Sequence, residues 1–174
     1  MTITEGLQEI KTLMKRIEKK REFVKGYLWR MNQIRDPHEA HGGSQEVVRK
    51  ERQAIKDLED NIVDLRRRIA EANAKTQVTV SGITKTIADW IIWRREIASP
   101  RKRFLEAMYS RIQSAREQAT QKGIQIVNSE LQAGGGDLII NVNEKDLAFE
   151  IEKTEDILST LDGQLSMKNA TISI

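Results

Sequence analysis

Between residues 88 and 103 the chain reads Ala88-Asp89-Trp90-Ile91-Ile92-Trp93-Arg94-Arg95-Glu96 and, beyond Ser99-Pro100, Arg101-Lys102-Arg103. Two indoles and several guanidiniums within a few helical turns have the chemistry to stack on a base and hold a phosphate. On a helix, Trp90, Arg94 and Ile97 share one side, Trp93 shares a side with Asp89, and Arg101 follows one turn on. Trp90, Trp93, Arg94, Arg95 and Arg101 are therefore the candidate ligand-binding residues, for a nucleotide or another small anion held between subunits. The same residues also have a structural use: one tryptophan in a core, the other at a helix interface, with arginine stems covering apolar surface.

Other groups fit their suggestive motifs poorly. His38-Glu39-Ala40-His41 has one residue between the glutamate and the second histidine, where a zinc-protease helix needs two, and it falls in a Pro/Gly loop. Gly134-Gly135-Gly136 leads into a β-rich stretch, whereas a phosphate cradle leads into a helix N-terminus, so it reads as a hairpin tip. The absence of cysteine excludes disulfides, thiolate metal sites and cysteine nucleophiles. No nucleophile elbow, Walker loop, dinucleotide fingerprint or kinase set is present, and the many carboxylates near the C-terminus sit at ordinary helical positions. The expectation is a protein that is not an enzyme and takes no metal or cofactor.

The elements that must position these residues are mostly helices. Leu7, Ile10, Met14, Ile17, Val24, Leu28 and Met31 step by three and four from Thr4 to about Arg35, which predicts a helix with a heptad seam interrupted at Arg21. Asp36-Pro37 and Gly42-Gly43 break it, and Ser44 is placed to cap a second helix carrying Val48, Ile55, Leu58, Ile62, Leu65, Ile69 and Ala72. These two predict a long antiparallel, coiled-coil-like hairpin over 1–75. Asn73 is placed to end the second helix. Thr76 to Val80 then alternates as a strand, Ser81-Gly82 turns, and a third helix starts at Ile83 or Thr84. Ser99-Pro100 reads as the start of a fourth helix or as the kink of one longer helix, closing a segment at 76–122. Over 123–174, Ile124 to Val127 and Leu138 to Val142 predict a β-hairpin, followed by an acidic helix from Asn143 and a terminal strand at Thr171–Ile174. The fold class is mainly α with a small β element, in a single domain. Ile69-x-x-x-Asn73-Ala74 before Thr76 and Leu165-x-x-x-Asn169-Ala170 before Thr171 echo one another, as chance or as a duplication.

Charge is divided along the chain. Residues 1–35 hold nine Lys/Arg against four Asp/Glu, residues 81–122 the same, and residues 123–174 three against nine. The acidic C-terminal helix is therefore expected to face a basic helix of its own or a neighbouring chain. The Lys15-Arg16, Lys19-Lys20-Arg21 and Arg66-Arg67-Arg68 clusters sit among acids, and a net charge of +3 speaks against nucleic acid as a partner. Interleaved acids speak against membrane action too. The opening residues lack the layout of a secretory signal, and no apolar run reaches bilayer length, so a cytoplasmic location is expected, or a virion-associated one if the chain is phage encoded.

Ile69-Ala-Glu-Ala-Asn73-Ala74-Lys-Thr76, Gly82-x-Thr84-x-Thr86-Ile87-Ala88-Asp89 and Arg94-Arg95 resemble the central signature of the septicolysin-like family of small, helix-rich bacterial proteins. Leu161-Asp162 with Leu165, Asn169 and Thr171 resembles that family's last helix. The family's Arg-Asp pair stands here as Arg94-Arg95. The resemblance implies a helical, oligomeric protein and transfers no site residue. Size, heptads and a strand-ended chain equally suit a phage or prophage assembly protein whose main partner is itself.

Overall fold

Heptad-like stepping forms helices wherever a second apolar stripe is available to cover the first. The computed structural model describes residues 1–127 and 134–174. Its order is α1 (Ile3–Gly26), a 3₁₀ turn at Glu39–His41, α2 (Gly43–Lys75), β1 (Gln77–Val80), β2 (Ile83–Thr86), α3 (Ile87–Trp93), a π-helical turn (Arg94–Ala98), α4 (Ser99–Gln121), β3 (Ile126–Val127), β4 (Leu138–Ile139) and α5 (Glu144–Thr171). The mainly α class with a small β element is what the structure shows. The folded chain consists of two compact units, Met1–Thr76 with Ser166–Ile174, and Gln77–Leu165.

In the first unit α1 and α2 pack along one seam. Ile3, Ile10 and Leu13 are buried with Leu65 and Ile69, and Leu7, Leu58, Ile62 and Ala72 pack against them partly covered. Leu13 takes the place expected of Met14, which is 57% exposed; both positions satisfy the step between Ile10 and Ile17, and only the partner surface chooses between them. Thr2 starts α1 with a reciprocal cap: its hydroxyl accepts from the Glu5 N–H, and the Glu5 carboxylate accepts from the Thr2 N–H at 2.7 Å.

Three boundaries differ from expectation. α1 stops at Gly26, well short of Arg35, so Leu28 and Met31 leave the seam. Glycine costs about 1 kcal/mol in a helix interior, and the loop that follows supplies competing hydrogen bonds. Ser44 is not the cap of α2; Gly42, with φ of 90°, holds that place. Ser44 instead gives both its N–H and its hydroxyl to Asp36, eight residues upstream, at 2.9 and 2.6 Å. α2 also runs past Asn73 to Lys75.

The chain ends close this unit. The segment after α5 lies antiparallel to the N-terminus, bridging Thr2 and Ser173. Ile3 N–H donates to Ile172 O and Ile174 N–H to Met1 O at 3.1 and 2.8 Å. Arg68 holds the Ile174 carbonyl oxygen. Ile174 lies over Gly6, where a β-carbon would stand 2.6 Å from its terminal methyl. The expected terminal strand is thus a short extended tail whose partner is the start of the same chain.

In the second unit β1 and β2 form the antiparallel hairpin, with Val80 opposite Ile83. Ser81 and Gly82 both have positive φ, 50° and 79°, the two-residue turn whose twist matches flanking strands. Pairing claims Ile83–Thr86, so the third helix begins at Ile87. Thr86 caps it, accepting from the Asp89 N–H at 3.1 Å. Ser99 has helical dihedrals and caps nothing; α3 and α4 run on through a π turn that ends just before Pro100. Of the two readings at this point, the one longer helix is the one observed. The ring of Pro100 would crowd the carbonyl of Glu96 four residues back in a regular helix, and the wider turn over 94–98 accommodates it.

The hairpin expected over 124–142 is corrected. β3 and β4 pair in parallel, Ile126 with Leu138 and Val127 with Ile139. Gly134 to Asp137 is not a tip midway between strands but a turn directly before β4, in which the Asp137 carboxylate accepts from the Gly134 N–H at 2.7 Å. Apolar alternation specifies strand conformation and leaves strand direction to the connection. Residues 128–133, through which the hairpin reading runs, lie outside the described residues.

Candidate functional site

The Trp/Arg cluster is distributed among separate tasks. Trp90 is 2% exposed, and its indole N–H donates to the Val78 carbonyl at 2.9 Å, fastening α3 to β1. Burial brings the large apolar ring out of water, and the hydrogen bond satisfies its one polar atom. Trp93, half-buried, meets Trp90 edge to face, with ring centroids 5.3 Å apart. The Lys85 ammonium stands 5.4 Å from the Trp90 ring centre.

The guanidiniums point to carboxylates. Arg94 pairs with Asp162 and Arg101 with Glu150, both on α5. Arg95, exposed, pairs with neighbouring Glu96 at 2.7 Å. The structure thus brings Trp90 and Trp93 together and directs Arg94 and Arg101 to α5. Lys102–Glu155 and Arg116–Glu144 continue the same row. Residue numbers rise on α4 as they fall on α5, so the helices run antiparallel, and the acidic helix faces a basic helix of its own chain. The Arg116 guanidinium holds the Glu144 carboxyl below its usual range. Solvent screens exposed pairs of this kind, so the row sets register more than stability.

A second constellation sits at the α1–α2 connection. The Asp36 carboxylate accepts from the His38 N–H at 2.9 Å, from both Ser44 donors, and stands 3.5 Å from Arg30. The Ser44 hydroxyl and N–H, followed by the His38 N–H, hold its pKa down at about 2. His38 lies among rings, 4.6 Å from Tyr27 and 5.8 Å from Phe23 between centroids. The histidines of the zinc-like fragment therefore serve the loop's packing on one side and a 3₁₀ turn on the other. Among the described residues no group of three or more histidines or carboxylates is placed to hold a metal ion.

On this braced loop Leu28, Trp29, Met31 and Ile34 are 63, 79, 61 and 58% exposed. The sequence reading missed this patch because Leu28 and Met31 fit the heptad stepping of α1. The available signal was Trp29, an aromatic off the seam and close to a helix-breaking Asp-Pro. Large apolar side chains concentrated on an ordered loop mark interaction surfaces more strongly than scattered ones do. Beside the patch lies a cavity of about 570 Å³, lined by Tyr27, Leu28, Trp29, Ile34, Pro37 and Val48 among others.

No helix among the described residues is long and apolar enough to cross a membrane. Neither a protein-family model, nor a curated protein, nor a solved structure matches this chain.

Proposed function

We propose that this chain is a non-enzymatic helical interaction protein that assembles with copies of itself. The observation that carries this reading is the loop at the α1–α2 connection, which holds four large apolar side chains in water on a hydrogen-bonded scaffold. Ordering such groups before contact lowers the entropic cost of association, and tryptophan is one of the residue types enriched at interface hot spots. The resemblance to the septicolysin-like family, which implies an oligomeric helical protein, points the same way, as does suitability for a phage or prophage assembly role. Sedimentation velocity of the full chain over a wide concentration range tests it. Reversible mass increase with concentration is the expected result, and a monodisperse monomer at the highest concentration refutes it.

The second reading, a nucleotide or anion site built on Trp90, Trp93, Arg94, Arg95 and Arg101, draws on the edge-to-face tryptophan pair. An anion reaching Arg94 or Arg101 has to displace Asp162 or Glu150, so any affinity is reduced by that exchange. A thermal-shift screen with nucleotides discriminates, because binding to the folded state raises the melting temperature.

A further inference from the structure

We infer that the loop at Leu28–Ile34 is a self-complementary dimer surface, on which Trp29 of one copy enters the cavity beside Trp29 of a second copy about a twofold axis. The inference rests on the self-association reading and names the surface responsible. Three features select a second copy of this chain as the occupant.

The first is shape. A twofold interface uses one patch on both partners, so that patch must carry both the protrusion and the recess that receives it. Trp29, 79% exposed, is the protrusion. The adjoining cavity of about 570 Å³ is the recess, and it falls within the size range of pockets that enclose small organic groups. Tyr27, Ile34, Pro37 and Val48 give it apolar surface for an indole, beside the polar Arg30, Asp36, Ser44 and Gln45.

The second is charge. Residues 22–45 hold Lys25, Arg30 and Arg35 against Glu22, Asp36 and Glu39. Each cation stands by one of these acids: Lys25 by Glu22, Arg30 by Asp36 at 3.5 Å, and Arg35 by Glu39 at 2.8 Å. Two copies of a locally neutral patch meet without like-charge repulsion. A nucleic acid or an anionic lipid surface gains no unpaired cation there, whereas a basic loop would have favoured either of them.

The third is area. At about 200 Å² for a large side chain, the four exposed residues offer about 500 Å² per copy. Two copies bury about 1,000 Å², the lower limit for a specific interface. The rim of the recess extends it.

Sedimentation equilibrium of full-length wild type, Trp29→Ala and Val63→Ala tests the assignment. Val63 is the control, an exposed apolar residue on α2 outside the patch. The expected result is a dimer whose dissociation constant rises at least ~10-fold in Trp29→Ala and is unchanged in Val63→Ala. Wild type that self-associates equally well with or without Trp29 overturns this surface and leaves the self-association reading standing. A wild type that stays monomeric overturns both. The cysteine-free chain permits a second measurement: under mild oxidation Asn32→Cys, on the patch, forms an interchain disulfide in the dimer, and Lys56→Cys on α2 does not. Equal cross-linking at both positions also overturns the assignment. Circular dichroism confirms that each variant keeps its helices.

Discussion

Trp90 joins a strand to a helix through two separable contributions, and replacing it in two steps measures each. Trp90→Phe keeps an aromatic ring in the buried site but removes the donor that meets Val78 O at 2.9 Å. The loss of one such hydrogen bond costs about 1 kcal/mol. Trp90→Ala removes the ring as well, from a position only 2% exposed, and large aromatic deletions of this kind cost about 3–5 kcal/mol. In a unit the size of Gln77–Leu165, each kcal/mol lowers the melting midpoint by about 4–8 °C. The phenylalanine variant is therefore expected to melt several degrees low, and the alanine variant at least ~12 °C low or without a cooperative transition. Thermal melts by far-ultraviolet circular dichroism read the stability. Near-ultraviolet spectra report the Trp90–Trp93 pair separately. An alanine variant that melts with wild type, or two variants with equal losses, would refute the view that burial and the indole hydrogen bond contribute independently.

Three further outcomes follow from named contacts. Gly6→Val places a branched side chain where Ile174 now lies 2.6 Å from the glycine's virtual β-carbon; the expected loss in urea unfolding is about 1–3 kcal/mol, partly restored by Ile174→Ala. Ser81→Asn supplies a residue suited to the positive φ of 50° and should raise the melting temperature by a few degrees, from about 0.5 kcal/mol; a lower midpoint contradicts the assigned turn. For Asp36 the folded pKa of about 2 lies below the ordinary 3.8, so its stabilising effect is fully present above pH ~4 and is lost as pH falls toward 2. Limited acid proteolysis at Tyr27–Gly43 should open over that window in wild type, and Asp36→Asn should be open already at neutral pH. Glu46, held down to about 2 by Arg49, acts in the same direction at the start of α2.

The tertiary placements show why some features could be read in advance. Ile10, Leu65 and Ile69 lie on the seam because a stripe repeating every three to four residues has one way to leave water when a second stripe is present. Met14 failed where Leu13 succeeded because adjacent positions satisfy the same spacing. Leu28 and Met31 match the period yet lie past Gly26, where α1 has ended and Asp36 organises the chain. Ser81-Gly82 was legible as a turn from residue type, but the strand at Ile83–Thr86 appeared only once β1 was there to pair with it. The Trp/Arg cluster was legible as a concentration of chemistry, and its division between Val78 and the α5 carboxylates was not.

Local chemistry by itself determined the helical class, the break at Asp36-Pro37 and the acidic character of the last helix. These depend on residue types and on a period that any single helix carries. Tertiary structure decided which of two adjacent side chains is buried, the parallel direction of Ile126–Val127 against Leu138–Ile139, the union of Met1–Ile3 with Ile172–Ile174, and the exposure of Trp29. Each depends on what a distant segment presents, because a side chain leaves water only where another surface arrives to cover it.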